Sequence, residues 1–183
     1  MPPARSCQAA RAHARPANAR WWAAILIGWC VLWSPSAQAI GGNGGTAFDF
    51  HCTGSVHVMA VIVREGQRID SVGIVCRNTA GAQRQLIVGG TGGRPQSFNA
   101  GTAGRHINKV QIAIGKCGRN TTRVCGLMLV GDLGFGQRFG TLTHDNRQFN
   151  ADPNHELVGF RGRAGQEIDN LEPIWRTRQR PAY

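Results

Sequence analysis

From residue 48 to residue 175 apolar side chains fall on alternate positions or in short β-branched runs, and no stretch sustains the 3.6-residue period of an amphipathic helix. Residues 56–63, V-H-V-M-A-V-I-V, and 72–76, V-G-I-V-C, flank one polar phrase. Residues 107–114, I-N-K-V-Q-I-A-I, and 124–130, V-C-G-L-M-L-V, flank another. Side chains of this type fit a half-buried pleated surface, so each pair predicts a hairpin. Residues 83–88 predict a further strand and residues 157–175 a third hairpin. The stretch 131–154, rich in Gly, Asp, Asn and Gln and broken by Phe135, Phe139, Leu142 and Phe149, predicts short strands and loops.

The turns of the first and last hairpins are nearly the same phrase. R-E-G-Q-R-I-D-S-V at 64–72 superimposes on R-A-G-Q-E-I-D-N-L at 163–171 with an offset of 99 residues, matching Arg64, Gly66, Gln67, Ile69 and Asp70 to Arg163, Gly165, Gln166, Ile168 and Asp169. The middle turn, G-K-C-G-R-N-T-T-R, reads as nearly equal in length but lacks the Gly-Gln and Ile-Asp steps. Its Gly118 lies 52 residues after Gly66 and 47 before Gly165, so the spacing predicts three hairpin modules about 50 residues apart, the middle one degenerate. The expected fold is all-β.

Two segments of high glycine content adjoin these modules, G-G-N-G-G at 41–45 and G-G-T-G-G-R-P at 89–95. Gly41, Gly42, Gly44 and Gly45 open positive-φ conformations, which predicts an irregular loop feeding a strand near Phe48 and Phe50. The first segment has neither the spacing of a dinucleotide loop nor the end of a phosphate loop.

The first 39 residues are of a different kind. Arg5, Arg11, Arg15 and Arg20, with no acidic residue, precede the apolar run W-W-A-A-I-L-I-G-W-C-V-L-W at 21–33, and Ala37-Gln38-Ala39 follows. That order predicts a secretory signal peptide over 1–39, with an uncleaved anchor as the alternative; the 13-residue apolar run is short against the ~20 that a membrane span needs. The expected location is secreted or periplasmic. Residues 40–175 form the predicted domain, and 176–183 a basic flexible tail.

Of the 21 basic residues the leader carries four, so residues 40–183 hold 17 against 10 acidic residues, a net charge of +7. That balance favours an anionic partner, an acidic glycan or an envelope surface. The basic residues are spread along the chain without a nucleic-acid module or an aromatic ladder, and no specific nucleic-acid partner is expected.

Four cysteines remain beyond the leader, Cys52, Cys76, Cys117 and Cys125, and an exported chain with four has three possible pairings. Cys52 with Cys76 and Cys117 with Cys125 are the expected disulfides, because each pair brackets a predicted hairpin. A zinc site joining Cys117 and Cys125 to His106 or His144 is the alternative; it lacks the C-x2-C spacing of structural zinc, and neither metal nor cofactor is expected.

A bland role exists for each turn residue. Asp70 and Asp169 can stabilise their own turns by accepting backbone N–H groups, and Gly66 and Gly165 serve the turn in either case. A pair of glycosidase carboxylates must lie roughly 5 to 9.5 Å apart, whereas equivalent positions in separate modules are expected to lie farther apart. No nucleophile with a base and an orienting acid is evident, so no catalytic residue is assigned and the chain is not expected to be an enzyme.

The phrase L-V-G-F-R-G-R-A-G-Q-E-I-D-N-L at 157–171, with G-G-N-G-G-T-A-F-D-F at 41–50, resembles the jacalin-related lectins. The resemblance implies a β-prism of three four-stranded antiparallel sheets with pseudo-three-fold symmetry, the glycine-rich start of the chain lying beside the last turn. The vitelline-membrane outer-layer proteins, which share the prism, are more distantly similar. In the family a G-x-x-x-D turn grips adjacent sugar hydroxyls with backbone N–H groups and the aspartate. Carried over, this implies a carbohydrate site at Gly165, Gln166, Glu167 and Asp169, approached by Gly41 or Gly42. A second site is implied at Gly66, Gln67, Arg68 and Asp70, without a glycine-rich neighbour. In the middle module Gly118 has Thr122 where the aspartate belongs. Two departures stand out: Gln166 and Glu167 replace the aromatic residue usual in plant members, and Pro173 interrupts the strand after the last turn. The rival expectation is a structural or protein-interaction prism of the cell envelope with no sugar site.

Overall fold

Each predicted hairpin forms, and each becomes the centre of its own sheet. The computed structural model describes residues 38–54, 56–101 and 106–178. The leader expected over 1–39 lies outside them except for its last two residues. The described residues form twelve strands: β1 (Ile40–Gly41), β2 (Thr46–His51), β3 (His57–Glu65), β4 (Ile69–Arg77), β5 (Gln83–Gly89), β6 (Arg94–Asn99), β7 (Ile107–Gly115), β8 (Arg123–Gly131), β9 (Gly136–Gly140), β10 (Asn146–Asn150), β11 (His155–Ala164) and β12 (Ile168–Thr177). They pair as three four-stranded sheets, β5-β4-β3-β6, β10-β7-β8-β9 and β1-β12-β11-β2. All pairings are antiparallel, and the three sheets form a β-prism with pseudo-three-fold symmetry.

In the first two sheets the hairpin is followed by its own flanking strands. In the last, the flanks are the first two strands of the chain, so the sheet closes around residues 128 positions apart, Gly42 and Asn170. The inner face of each hairpin supplies the core. Val61, Val63, Ile69, Val72 and Ile74 from the first, Val110, Ile112, Val124, Leu127 and Leu129 from the second, and Phe160, Ile168 and Leu171 from the third have no exposed surface. Each sheet adds an edge-strand phenylalanine: Phe50 pairs across from Phe160, Phe98 from Val61 and Phe149 from Val110. Burying a side chain of this size contributes roughly 1.5–3 kcal/mol, which is what seats the glycine- and asparagine-rich flanks.

All three hairpins carry irregularities at the same two places. Next to the turn, Arg64 pairs with Ser71 but Glu65 with Ile69, Arg163 pairs with Asn170 but Ala164 with Ile168, and Ala113 pairs with Gly126 but Ile114 with Val124. The residues left over are Asp70, Asp169 and Cys125. A bulge of this kind re-aims the extra side chain, here at the end of the prism that carries the hairpin turns.

The cysteines pair as Cys52–Cys76 and Cys117–Cys125, each with Cα atoms 5.6 Å apart. The zinc alternative through Cys117 and Cys125 is thereby removed. Cys52–Cys76 ties the end of β2 to β4, joining two sheets. The middle turn is longer than its sequence reading: residues 116–122 separate β7 from β8, against the three residues of the other turns. The expected tail also starts later, because β12 continues to Thr177 and Arg178 donates to His155 O and Asp132 Oδ1. Residues 179–183 lie outside the described residues. Pro173 does not break β12; β1 pairs only with Asn170 and Leu171, so from Glu172 onward that side of β12 is an open edge, where a missing N–H is tolerated.

Candidate functional site

The bulged aspartates each face a glycine loop. Asp169 sits in the bulge of β12, and the β1–β2 loop folds over it: Gly42 N donates to Asp169 O at 2.8 Å, and a Cβ on Gly44 or Gly45 would lie 2.5 or 2.6 Å from a carboxylate oxygen. Arg163 holds the loop in place, donating to Gly44 O and Gly45 O at 2.9 and 2.7 Å. The repeat copies every part. Gly90 N donates to Asp70 O at 2.8 Å, a Cβ on Gly93 would lie 2.7 Å from Asp70 Oδ2, and Arg64 donates to Gly92 O and Gly93 O.

This arrangement corrects two expectations. Asp70 does have a glycine-rich neighbour, the 89–93 segment. Gly41 and Gly42, expected to approach the sugar, lie instead under the Asp169 backbone: a Cβ on Gly41 would meet Asp169 O at 2.2 Å and one on Gly42 would meet Thr122 O at 2.0 Å. The carboxylate is faced by Gly44 and Gly45. Arg64 and Arg163 brace the loops.

In the third module Thr141 N donates to Cys125 O at 2.9 Å, the same bond that Gly42 and Gly90 make to the aspartates. Cys125, and not Thr122, therefore stands in the aspartate position, and its sulfur is committed to Cys117. A disulfide closes this corner of the prism.

Despite their shared backbone, the two aspartate clefts differ in charge pairing. Asp70 is 5 % exposed and its Oδ1 lies 3.2 Å from Arg68 Nε. Asp169 is half-buried and its carboxylate makes no hydrogen bond or ion pair with any described residue, although Arg123 is close enough to act on it through space. Glu167, expected among the sugar ligands, is buried in an arginine cluster. Arg68 NH2 is 2.8 Å and Arg119 Nε 3.2 Å from its Oε1, and Arg123 pairs with Oε2. Burial, followed by repulsion from Arg68, lowers the Arg123 pKa from its ordinary value; Asp169 opposes the shift and Arg119 adds to it.

Of the remaining predicted residues, Gly165 and Gln166 are exposed at the tip of the last turn, and Gly66 and Gln67 at the tip of the first. Gly165 N and Gly66 N are used inside their turns, each donating at 3.0 Å to the carbonyl two residues on. No other described residue accepts from the N–H of Gln166 or Glu167. These groups, with Gly45, Arg119, Arg123 and Asp169, line a polar cleft of about 200 Å3. A second cleft, of about 460 Å3, lies between Asp70, the 89–92 glycines and the same 165–167 turn, with Arg68 and Arg119 on its wall. The clefts adjoin, sharing Arg119, Gly165, Gln166 and Glu167.

Comparison with known proteins agrees with this architecture. The family model of the jacalin-like lectin domain matches residues 37–173. Sequence comparison with curated proteins gives no match. Among solved structures, a mannose-binding jacalin-related lectin from Ananas comosus superimposes with a TM-score of 0.66 at 19 % identity, covering 77 % of this chain and 96 % of its own. The Malaysian banana lectin gives 0.65 at 22 %, covering 77 % and 96 %, and artocarpin complexed with methyl-α-mannose gives 0.66 at 16 %, covering 76 % and 95 %.

Proposed function

The chain belongs to the jacalin-like lectin family, non-catalytic carbohydrate-binding proteins, and from that premise we propose that it holds one pyranose in the Asp169 cleft. The supporting observation is a carboxylate, half-buried and free of ion pairs among the described residues, facing a glycine loop and a turn with unused N–H groups. Adjacent sugar hydroxyls donate to Oδ1 and Oδ2 of Asp169 and accept from the turn amides, so one residue fixes two hydroxyls. Gly44 and Gly45 are required because any Cβ there would occupy the space a hydroxyl needs. The site is shallow, and a single sugar binds weakly.

The preferred ligand is an acidic glycan with a terminal neutral hexose such as mannose, which the Ananas lectin is named as binding. The larger neighbouring cleft carries Arg68 and Arg119, and the Arg119 side chain is 57 % exposed. An anionic substituent one residue along the glycan meets that guanidinium. Export through the 1–39 leader places the protein where such glycans are displayed.

A glycan array of neutral mannosides beside uronic-acid and sulfated glycans tests the reading. Calcium-independent binding that is lost in Asp169→Asn, with the circular dichroism spectrum retained, supports it; undiminished binding by that variant removes Asp169 from the site. If no glycan binds, the envelope-scaffold reading takes its place. Sequencing the exported protein from its N-terminus is expected to begin at Ile40.

A further inference from the structure

At the end of the prism away from the turns, the same three-fold relation that repeats the aspartates brings together a different set of side chains. Val58, Ile107 and Leu157 are the last residues before the first bulge of each hairpin. The residues just ahead of them are His57, His106 and Glu156, one from each hairpin module. Strand residues 58–65, 107–115 and 157–164, about 26–30 Å at ~3.3 Å per residue, separate them from the hairpin turns.

Their ligating atoms all lie within 4.8 Å of one another. His106 Nδ1 is 2.5 Å and His57 Nδ1 3.2 Å from Glu156 Oε2, and His57 Nδ1 is also 3.1 Å from Oε1. The carboxylate is nearly inaccessible, at 2 % exposure, and is surrounded by Arg176, His57 and His106. Arg176 NH2 takes Oε1 at 3.1 Å and is itself fixed by Val56 O at 2.9 Å, while its NH1 donates to Gly54 O at 2.7 Å. This leaves Oε2 toward the two imidazoles.

We infer that His57, His106 and Glu156 form a binding site for a first-row divalent metal ion, with zinc as its reference ligand. Two imidazoles and one carboxylate on a shared face, with further positions left to water, is an established donor set for such ions. Bonds of about 2.0–2.2 Å put tetrahedral ligand atoms roughly 3.4 Å apart. The His57–Glu156 separation is within about 0.3 Å of that figure, the His106–Glu156 contact must open by less than 1 Å, and the two imidazole donors lie within 4.8 Å of each other. Each neutral imidazole need only carry its proton on Nε2 to turn its Nδ1 lone pair to the metal. The His57 side chain, 41 % exposed, leaves an entry path. Arg176 acts as the outer-shell group that orients the carboxylate. Because the ligands come from three different hairpin modules, the ion would staple the prism at its axis. The site is independent of carbohydrate binding at the other end.

The test is titration of chelator-treated full-length protein with zinc chloride by calorimetry, alongside thermal melts and the visible spectrum of the cobalt-loaded protein. The expected result is one zinc per chain with micromolar or tighter affinity, and a Tm raised by about 5 °C or more at a hundredfold excess over Kd. His57→Ala is expected to weaken binding by at least about tenfold and remove most of the Tm rise, while His51→Ala and His155→Ala leave both unchanged. Absence of zinc binding up to millimolar concentration, or binding unaltered in His57→Ala, overturns the assignment. If a variant fails to fold, the cobalt spectrum of the unaltered protein still decides: nitrogen and oxygen ligation of one ion supports the site, and a hexaaqua-like spectrum refutes it.

Discussion

The Asp70 and Asp169 clefts are copies in backbone and opposites in electrostatics. Both aspartates sit in the same bulge, both lie under a G-G-x-G-G loop, and both loops are pinned by an arginine at the same strand position. The difference is the residue before Ile-Asp. Arg68 reaches back 3.2 Å to Asp70 and neutralises it, whereas Glu167 in the equivalent place cannot pair with Asp169 and instead gathers Arg68, Arg119 and Arg123. The cleft beside Asp70 is the larger of the two, yet its acceptor is occupied. A sugar entering there must first displace an ion pair of small solvent exposure, while one entering beside Asp169 displaces water. Availability of the carboxylate therefore ranks the two proposed sites, and cleft size does not.

The sharpest way to break this ranking is to neutralise each carboxylate. Asp169→Asn is expected to cost about 100-fold or more in glycan affinity, the scale of losing charge-assisted hydrogen bonds, read by array or calorimetry. Next comes the third corner, where the disulfide replaces the aspartate. The double variant Cys117→Ala with Cys125→Ala should lose about 2.5 kcal/mol of stability in urea unfolding, from the short loop it closes, with glycan affinity changed by no more than about twofold. A larger change in binding would mean that this corner takes part in recognition. Gly44→Val should weaken glycan binding about tenfold or more by filling the space before Asp169, whereas Gly92→Val, in the other copy, should leave it within about twofold. The smallest effect is expected from Asp70→Asn: unchanged glycan binding and roughly 1 kcal/mol of stability lost with its ion pair. Loss of half the binding stoichiometry there would make the two clefts equivalent after all.

Much of this was legible in the residues. The repeated R-x-G-Q-x-I-D phrase located both hairpin turns, because a tight turn constrains consecutive residues; the bulges that follow them at Asp70 and Asp169 emerge only from the strand ladder. The pairing of the cysteines followed from hairpins that close each loop. Three features escaped for physical reasons. Counting from Gly118 placed Thr122 opposite the aspartates, but the middle turn is four residues longer than the others and the ladder, not the turn, sets equivalence; Cys125 is the true counterpart. The 89–93 loop went unassigned because it follows its hairpin turn by about 20 residues while the 41–45 loop precedes its own turn by about 120, so no constant offset relates them. The arginine cluster around Glu167 joins turns from all three modules, and nothing in the local sequence of any one turn signals it.

The sequence by itself determined the central strands of the three hairpins, the three modules, the disulfide partners and the two aspartate turns, since each depends on neighbours along the chain: alternation, turn chemistry and short loops. Tertiary structure decided which aspartate is free, which glycines face it, and that His57, His106 and Glu156 meet on the axis. Those outcomes depend on how three sheets close around one core. Closure brings side chains about 50 to 130 residues apart to within hydrogen-bonding distance, where a single Arg-for-Glu difference in a turn sets the charge of a cleft.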